Sequence, residues 1–241
     1  MHGSWYCSPA CFVSAAIERL SSLLTSGHEQ SSHVSRMPLE LILISRGWLT
    51  RVQLKEAQDE LEECGGEIGE LLVRNGSVSE KRVTATRAAQ WGCPVYAARQ
   101  HAISNEIQVP TTLVQAYSAI PLHYIVMKKL LLVGFVRSVE YGLLYAIEKM
   151  TGCTTQPCFV TASEFHFLMQ ERWENQVQCG DAAPSEVKFE SVQTSEEMAR
   201  ILCSYGIGLE SDDVAIGKCK EYLWARLKSA RRTVDILFKA E

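Results

Sequence analysis

Two stretches decide the fold: LELILISRGWLTRVQL, residues 39–54, and IGELLVRNGSVSEKRV, residues 68–83. Set 29 positions apart, Leu39, Leu43, Ile44, Gly47, Leu49, Thr50 and Leu54 match Ile68, Leu72, Val73, Gly76, Val78, Ser79 and Val83. In each copy, apolar residues spaced three to five apart give two short helices one buried face, and Gly47 or Gly76 supplies the positive φ that ends the first helix. Thr50 and Ser79 each follow an apolar residue and open a helical run, so both are read as N-caps. Neither helix-turn-helix unit can bury its face alone. The two are expected to pack as a pseudo-symmetric pair, with any groove on the interface between them.

Around this pair the chain divides by composition. Residues 1–35 are Ser-rich, with one helical pattern at Ala15–Leu24, and read as a loosely attached leader. Residues 36–92 form the helical repeat subdomain. From 93 to 174, Pro94, Pro110 and Pro121 punctuate alternating short elements: a helix over Val109–Ala119, strands at Ile120–Val126 and Leu130–Val136, a helix at Glu140–Met150, a strand at Thr154–Val160, and a helix at Ser163–Trp173 capped by Ser163. That is a small α/β subdomain. A polar linker at 175–186, with Gly180 and Pro184, precedes a tail, 187–241. The tail reads as a strand at Val187–Val192, a capped helix at Ser195–Tyr205, and a meander of Asp213–Cys219, Tyr222–Lys228 and Thr233–Phe238. Within it, Trp224 is expected to pack on the tail's own helix, and Arg226, Lys228, Arg231 and Arg232 to form a solvated basic hairpin end. The fold class is α+β: a helical repeat pair packed with a small α/β subdomain, plus a C-terminal α+β unit with an antiparallel meander.

The double repeat followed by Gln90, Trp91, Gly92, Cys93, Pro94 and Val95 resembles the N-terminal, MshEN-type domain of type II secretion and type IV pilus assembly ATPases, the GspE/PilB family. The likeness runs from Pro38 to about Trp173 and takes in Ile120-Pro121-Leu122 and Thr151-Gly152-Cys153 with Pro157. In some members each repeat opens with Arg-Leu-Gly and ends with Gln, and the pair binds cyclic di-GMP. Here the openings are Pro38-Leu39-Glu40 and Glu67-Ile68-Gly69, and Leu61 stands where the first Gln would be. The resemblance therefore leaves Leu43, Leu54, Gly69, Leu72 and Gln90 as the ligand-site candidates, all of them residues that packing and turn formation also require. A carboxylate in place of a ligand-facing arginine repels a phosphate.

Other chemistries are disfavoured by what the sequence lacks. No GxxxxGK[ST] occurs, so no Walker loop cradles a nucleotide phosphate, and no GxSxG or HExxH appears. Six scattered histidines, among them His123 and His166, suggest no acid/base centre, and no catalytic residue is assigned. Nine cysteines are read as reduced thiols. The close pairs Cys7/Cys11, near His2, and Cys153/Cys158 lack the second pair of a structural zinc site, so neither metal nor cofactor is expected. A net charge of −4 disfavours a nucleic-acid partner. The apolar run Ile125–Val136, broken by Lys128 and Lys129, is too short to span a bilayer, which leaves a cytoplasmic protein. Trp48 and Trp91 either cap the repeat core or anchor a partner. The expected function is that of a non-catalytic adaptor or regulator that docks on a secretion or pilus assembly protein; a sensor binding cyclic di-GMP or another nucleotide between the repeats is the alternative.

Overall fold

A computed structural model of the chain describes residues 6–25, 36–96, 107–178, 186–190, 192 and 194–239. The duplicated unit is present, with the same backbone bonds at both turns. Helix α2 (Leu39–Ser45) turns at Gly47 (φ 67°) into α3 (Arg51–Cys64), and α4 (Ile68–Arg74) turns at Gly76 (φ 68°) into α5 (Glu80–Trp91). Gly47 N donates to Ile44 O at 2.9 Å and Gly76 N to Val73 O at 3.0 Å, while Leu54 N reaches Thr50 O at 3.0 Å and Val83 N reaches Ser79 O at 3.1 Å. Positive φ at both turns explains the glycines, since an L side chain there is strained. Thr50 makes a full capping box with Gln53. Ser79 holds the cap position with extended backbone, but its hydroxyl accepts no cap hydrogen bond. Leu39, Leu43, Leu49, Ala57, Leu72, Val78 and Val83 close a core shared by both units.

Next comes α6 (Thr111–Ala116), which is shorter than the pattern predicts because Ser118, at φ 46°, turns the chain into β1 (Ala119–Ile125). Strands β1 and β2 (Leu130–Phe135) pair antiparallel. Helix α7 (Tyr141–Thr151) then crosses to β3 (Thr154–Phe159), which lies parallel to β2. Helix α8 (Ala162–Gln178) follows. Its cap is Thr161 rather than Ser163: Glu164 N donates to Thr161 Oγ1 (3.1 Å), and Thr161 N donates to the Glu164 carboxylate (3.1 Å). Ser163 is spent elsewhere, with its N–H and hydroxyl both donating to the Glu80 carboxylate of α5 at 2.7 and 2.8 Å.

The tail holds β4 (Glu186–Glu190), α9 (Ser195–Leu209) capped by Thr194, and β5 (Asp213–Cys219), β6 (Tyr222–Lys228) and β7 (Thr233–Lys239), in sheet order β4-β7-β6-β5. The antiparallel meander is as the alternation foretold, with β4 added parallel to β7.

The two faces of this sheet overturn three expectations. One face, with Val214, Ile216, Leu223, Ala225, Leu227, Val234, Ile236 and Phe238, is covered by α9 and by α1 (Pro9–Thr25), whose Ala16 and Leu20 are fully buried. Ser21 Oγ bonds Ser195 Oγ at 3.0 Å between these helices. So residues 9–25 are no loose leader: their apolar face completes the core of a unit that lies far along the chain. Residues 26–35 and 179–185 lie outside the described residues, and the linker expected at 175–186 is taken up at its start by α8, which runs on to Gln178, and at its end by β4 from Glu186.

The opposite face carries Ala215, Cys219, Trp224 and Leu237 into the core of the central subdomain, where α7 is the common wall. Gly217 permits the close approach, because a Cβ there would stand 3.0 Å from Met150 Cε and 3.3 Å from Ala146 Cβ. Trp224 therefore packs toward the central subdomain and not on the tail's own helix, the period-two alternation having put it on the face away from α9. Arg226, next on that face, is buried rather than part of a solvated hairpin end. It makes a bidentate pair with buried Asp235 (2.7 and 2.8 Å) and donates to Gln108 O at 2.7 Å, while Trp224 Nε1 donates to Asp235 Oδ1 at 2.8 Å. A buried charge persists only when so satisfied.

Candidate functional site

Residues 38 and 67, the two repeat openings, are equivalent at the 29-residue offset, and α5 reaches the chain at both. Its Arg87 is buried, as are Val83, Thr84, Thr86 and Ala88 of the same helix. The guanidinium pairs with Glu67 and donates from Nη1 to Val136 O of the central subdomain at 2.8 Å. Glu67 also accepts from Glu70 N at 3.2 Å and so caps α4. A carboxylate favours that place because the unpaired N–H groups of a helix start carry partial positive charge. One turn further along α5, Gln90 Nε2 donates to Met37 O at 2.6 Å, just ahead of the first opening. Both openings are thus clasped by the same helix face.

Gly69 sits against this clasp. A Cβ there would stand 2.7 Å from Arg87 Nη2 and 3.0 Å from Leu39 Cδ2, so the absent side chain is what lets α4 approach α5 and α2. Leu43 and Leu72 are fully buried in the repeat core, and Leu54 packs half-buried against it. Of the five candidate residues, the three leucines come together as core, while Gly69 and Gln90 belong to the clasp. Arg87 is the residue that sequence reading passed over. Its signal was available: a long cation three positions before Gln90 and three after Thr84, on the helix face that also carries Val83 and Trp91, requires a buried partner.

Beside the clasp lies an aromatic surface. The Arg36 guanidinium stacks 3.6 Å from the Trp91 ring, which packs against the central core and lies 6.3 Å from the Tyr141 ring of α7. Tyr141 and, one turn on, Tyr145 are 58% and 64% exposed. Trp48 instead packs against the repeat core, with Arg46 at 5.0 Å and Arg82 at 5.4 Å over its ring. Two basic side chains also tie the subdomains together on the surface, Arg137 to Glu70 at 2.6 Å and Lys220 to Glu140 at 2.7 Å.

Several other described side chains with potential chemistry are sequestered. Burial pushes the Cys158 and Cys219 thiols up to about 12, so they stay protonated and unreactive at neutral pH. Cys153 Sγ lies 2.8 Å from the Thr151 hydroxyl. Glu164 is engaged by its cap, and His166 is exposed beside the Phe165 ring. Among the described residues no group of three or more His, Cys, Asp or Glu is placed to hold a metal ion. His2, His28, His33 and His101 lie outside them.

Comparison with known proteins gives no matching family model. The chain is 26% identical, over 133 residues, to the type IV pilus assembly ATPase PilB of Thermus thermophilus; the match covers 54% of this chain and spans only 15% of the relative's length. Similar solved structures include MshE with cdg (15% identity, 56% of this chain and 99% of that one, TM-score 0.48) and the N-terminal domain of XpsE (24% identity, 59% and 97%, TM-score 0.45).

Proposed function

We propose that this chain is a non-catalytic docking or regulatory module that works in the cytoplasm by contact with a component of a secretion or pilus assembly machine. The likeness to the pilus assembly ATPase supports the class of machine. The observation that carries the mode of action is the clasp: Arg87 and Gln90, polar side chains of α5 at the two repeat openings, are committed to Glu67 and Met37 of the same chain. What the module then offers is surface. Trp91, Tyr141, Tyr145 and Arg36 supply aromatic and guanidinium groups of the kind that anchor protein interfaces. No described helix is long and apolar enough to cross a membrane.

A second reading makes the repeat pair a cyclic di-GMP sensor, with Leu43, Leu54, Gly69, Leu72 and Gln90 lining the ligand. It rests on the retained glycine and glutamine. Against it stands the acidic Glu67 at the position of a ligand-facing cation.

The test of the docking reading is crosslinking capture from the cytoplasm of the native cell with the tagged chain, run beside Tyr145→Glu. Recovery of an assembly-machine component by the parent chain, lost in the variant, is the expected result. Capture of no such component, or equal capture by both, would overturn it.

A further inference from the structure

Two thiols stand apart from the rest. Cys7 and Cys11 are both exposed, and their Sγ atoms lie 3.3 Å apart at the entrance to α1. Pro9 opens the helix, Ser8 caps it by accepting from Cys11 N at 3.3 Å, and Phe12 N bonds Ser8 O at 3.1 Å. Cys7 thus precedes the cap and Cys11 sits in the first turn, which places the two side chains side by side at the helix entrance. The pair is anchored from both sides. Tyr6 and Phe12 stack edge to face at 5.3 Å, and Phe12 packs against the core beneath α1.

We propose that Cys7 and Cys11 are a redox modification site, a dithiol that closes to an intrachain disulfide by exchange with a low-molecular-weight disulfide. The sulfurs must approach from 3.3 Å to about 2.05 Å, a movement that side-chain torsions supply at exposed positions. The Cys7 thiolate attacks one sulfur of the small disulfide, forming a mixed disulfide and releasing one small thiolate. Cys11 then loses its proton to solvent and attacks the Cys7 sulfur, expelling the second thiolate. Two protein thiols are oxidised, and one small disulfide is reduced to two thiols. Hydrogen bonding with Cys11 lowers the Cys7 thiol below its ordinary range, and the same contact raises Cys11. That division suits an attacking thiol with a resolving partner.

Other cysteines serve as internal controls. Cys153, Cys158 and Cys219 are buried, and desolvation raises Cys93. Cys64 is exposed and reports plain accessibility.

The experiment equilibrates the full chain with graded ratios of oxidised to reduced glutathione, then alkylates all free thiols under denaturing quench and maps them by mass. The expected result is that Cys7 and Cys11 together escape the label and lose two hydrogens at ratios where Cys64 is still alkylated. In Cys11→Ser a glutathione adduct on Cys7 should accumulate that the parent chain never retains. Alkylation of both cysteines alongside Cys64, a persistent adduct on Cys7 in the parent chain, or a disulfide to any other cysteine would each overturn the proposal.

Discussion

Arg87 joins two subdomains through one guanidinium, pairing with Glu67 at the opening of the second repeat and donating to the Val136 carbonyl at 2.8 Å. Glu67 is about one-third exposed while Arg87 is buried, so the pair lies between a solvent-screened bridge and a fully desolvated one. Loss of the carboxylate leaves a buried cation with one partner and strips α4 of its cap. Glu67→Ala is expected to lower stability by about 1–3 kcal/mol in urea unfolding. Glu67→Arg sets two guanidinium groups face to face and should cost more. The swapped pair Glu67→Arg with Arg87→Glu should recover part of that loss, a coupling that two independent surface charges would lack.

Gly69→Ala drives a methyl group into the Arg87 guanidinium and Leu39. The guanidinium can yield but Leu39 is core, so a loss of about 1–3 kcal/mol is expected. It should be less than additive with Glu67→Ala, because both changes act on one contact. Gly47→Ala meets open space and should cost only about 1 kcal/mol, from its positive φ.

Leu20 is fully buried on α1, against the sheet of the tail. Leu20→Ala should destabilise the chain by about 2–5 kcal/mol by denaturant unfolding. A loosely attached leader would tolerate the change within about 0.5 kcal/mol.

Cys158 and Cys219 lie well above the ordinary thiol range of about 9, each pushed up to about 12 by burial. In the unfolded chain these thiols ionise first. Their contribution is therefore complete below pH 9 and is lost as pH rises from about 9 toward 12. Urea midpoints measured across that range should fall, and Cys158→Ala should flatten the fall.

The sequence showed its local logic clearly and its long-range logic poorly. The repeat was readable because apolar spacing, Gly47 and Gly76, and the Thr50 cap are all written within one helical hairpin. The meander was readable because Asp213–Cys219 and Tyr222–Lys228 alternate around a tight turn. Alternation placed Leu223 and Trp224 on opposite faces but could not say which face α9 covers, so Trp224 was assigned to the wrong neighbour. Nothing near Leu20 announces that its partners lie on α9, and nothing near Glu67 names Arg87. In both cases the residue's need for a partner is local, while the partner's identity depends on topology.

Titration calorimetry of the full chain with cyclic di-GMP tests most directly whether the repeat junction is held shut by the chain's own side chains. With Glu67 and Met37 occupying Arg87 and Gln90, no binding heat should appear at micromolar ligand. Saturable heat at that concentration, abolished by Gln90→Ala, would contradict the account.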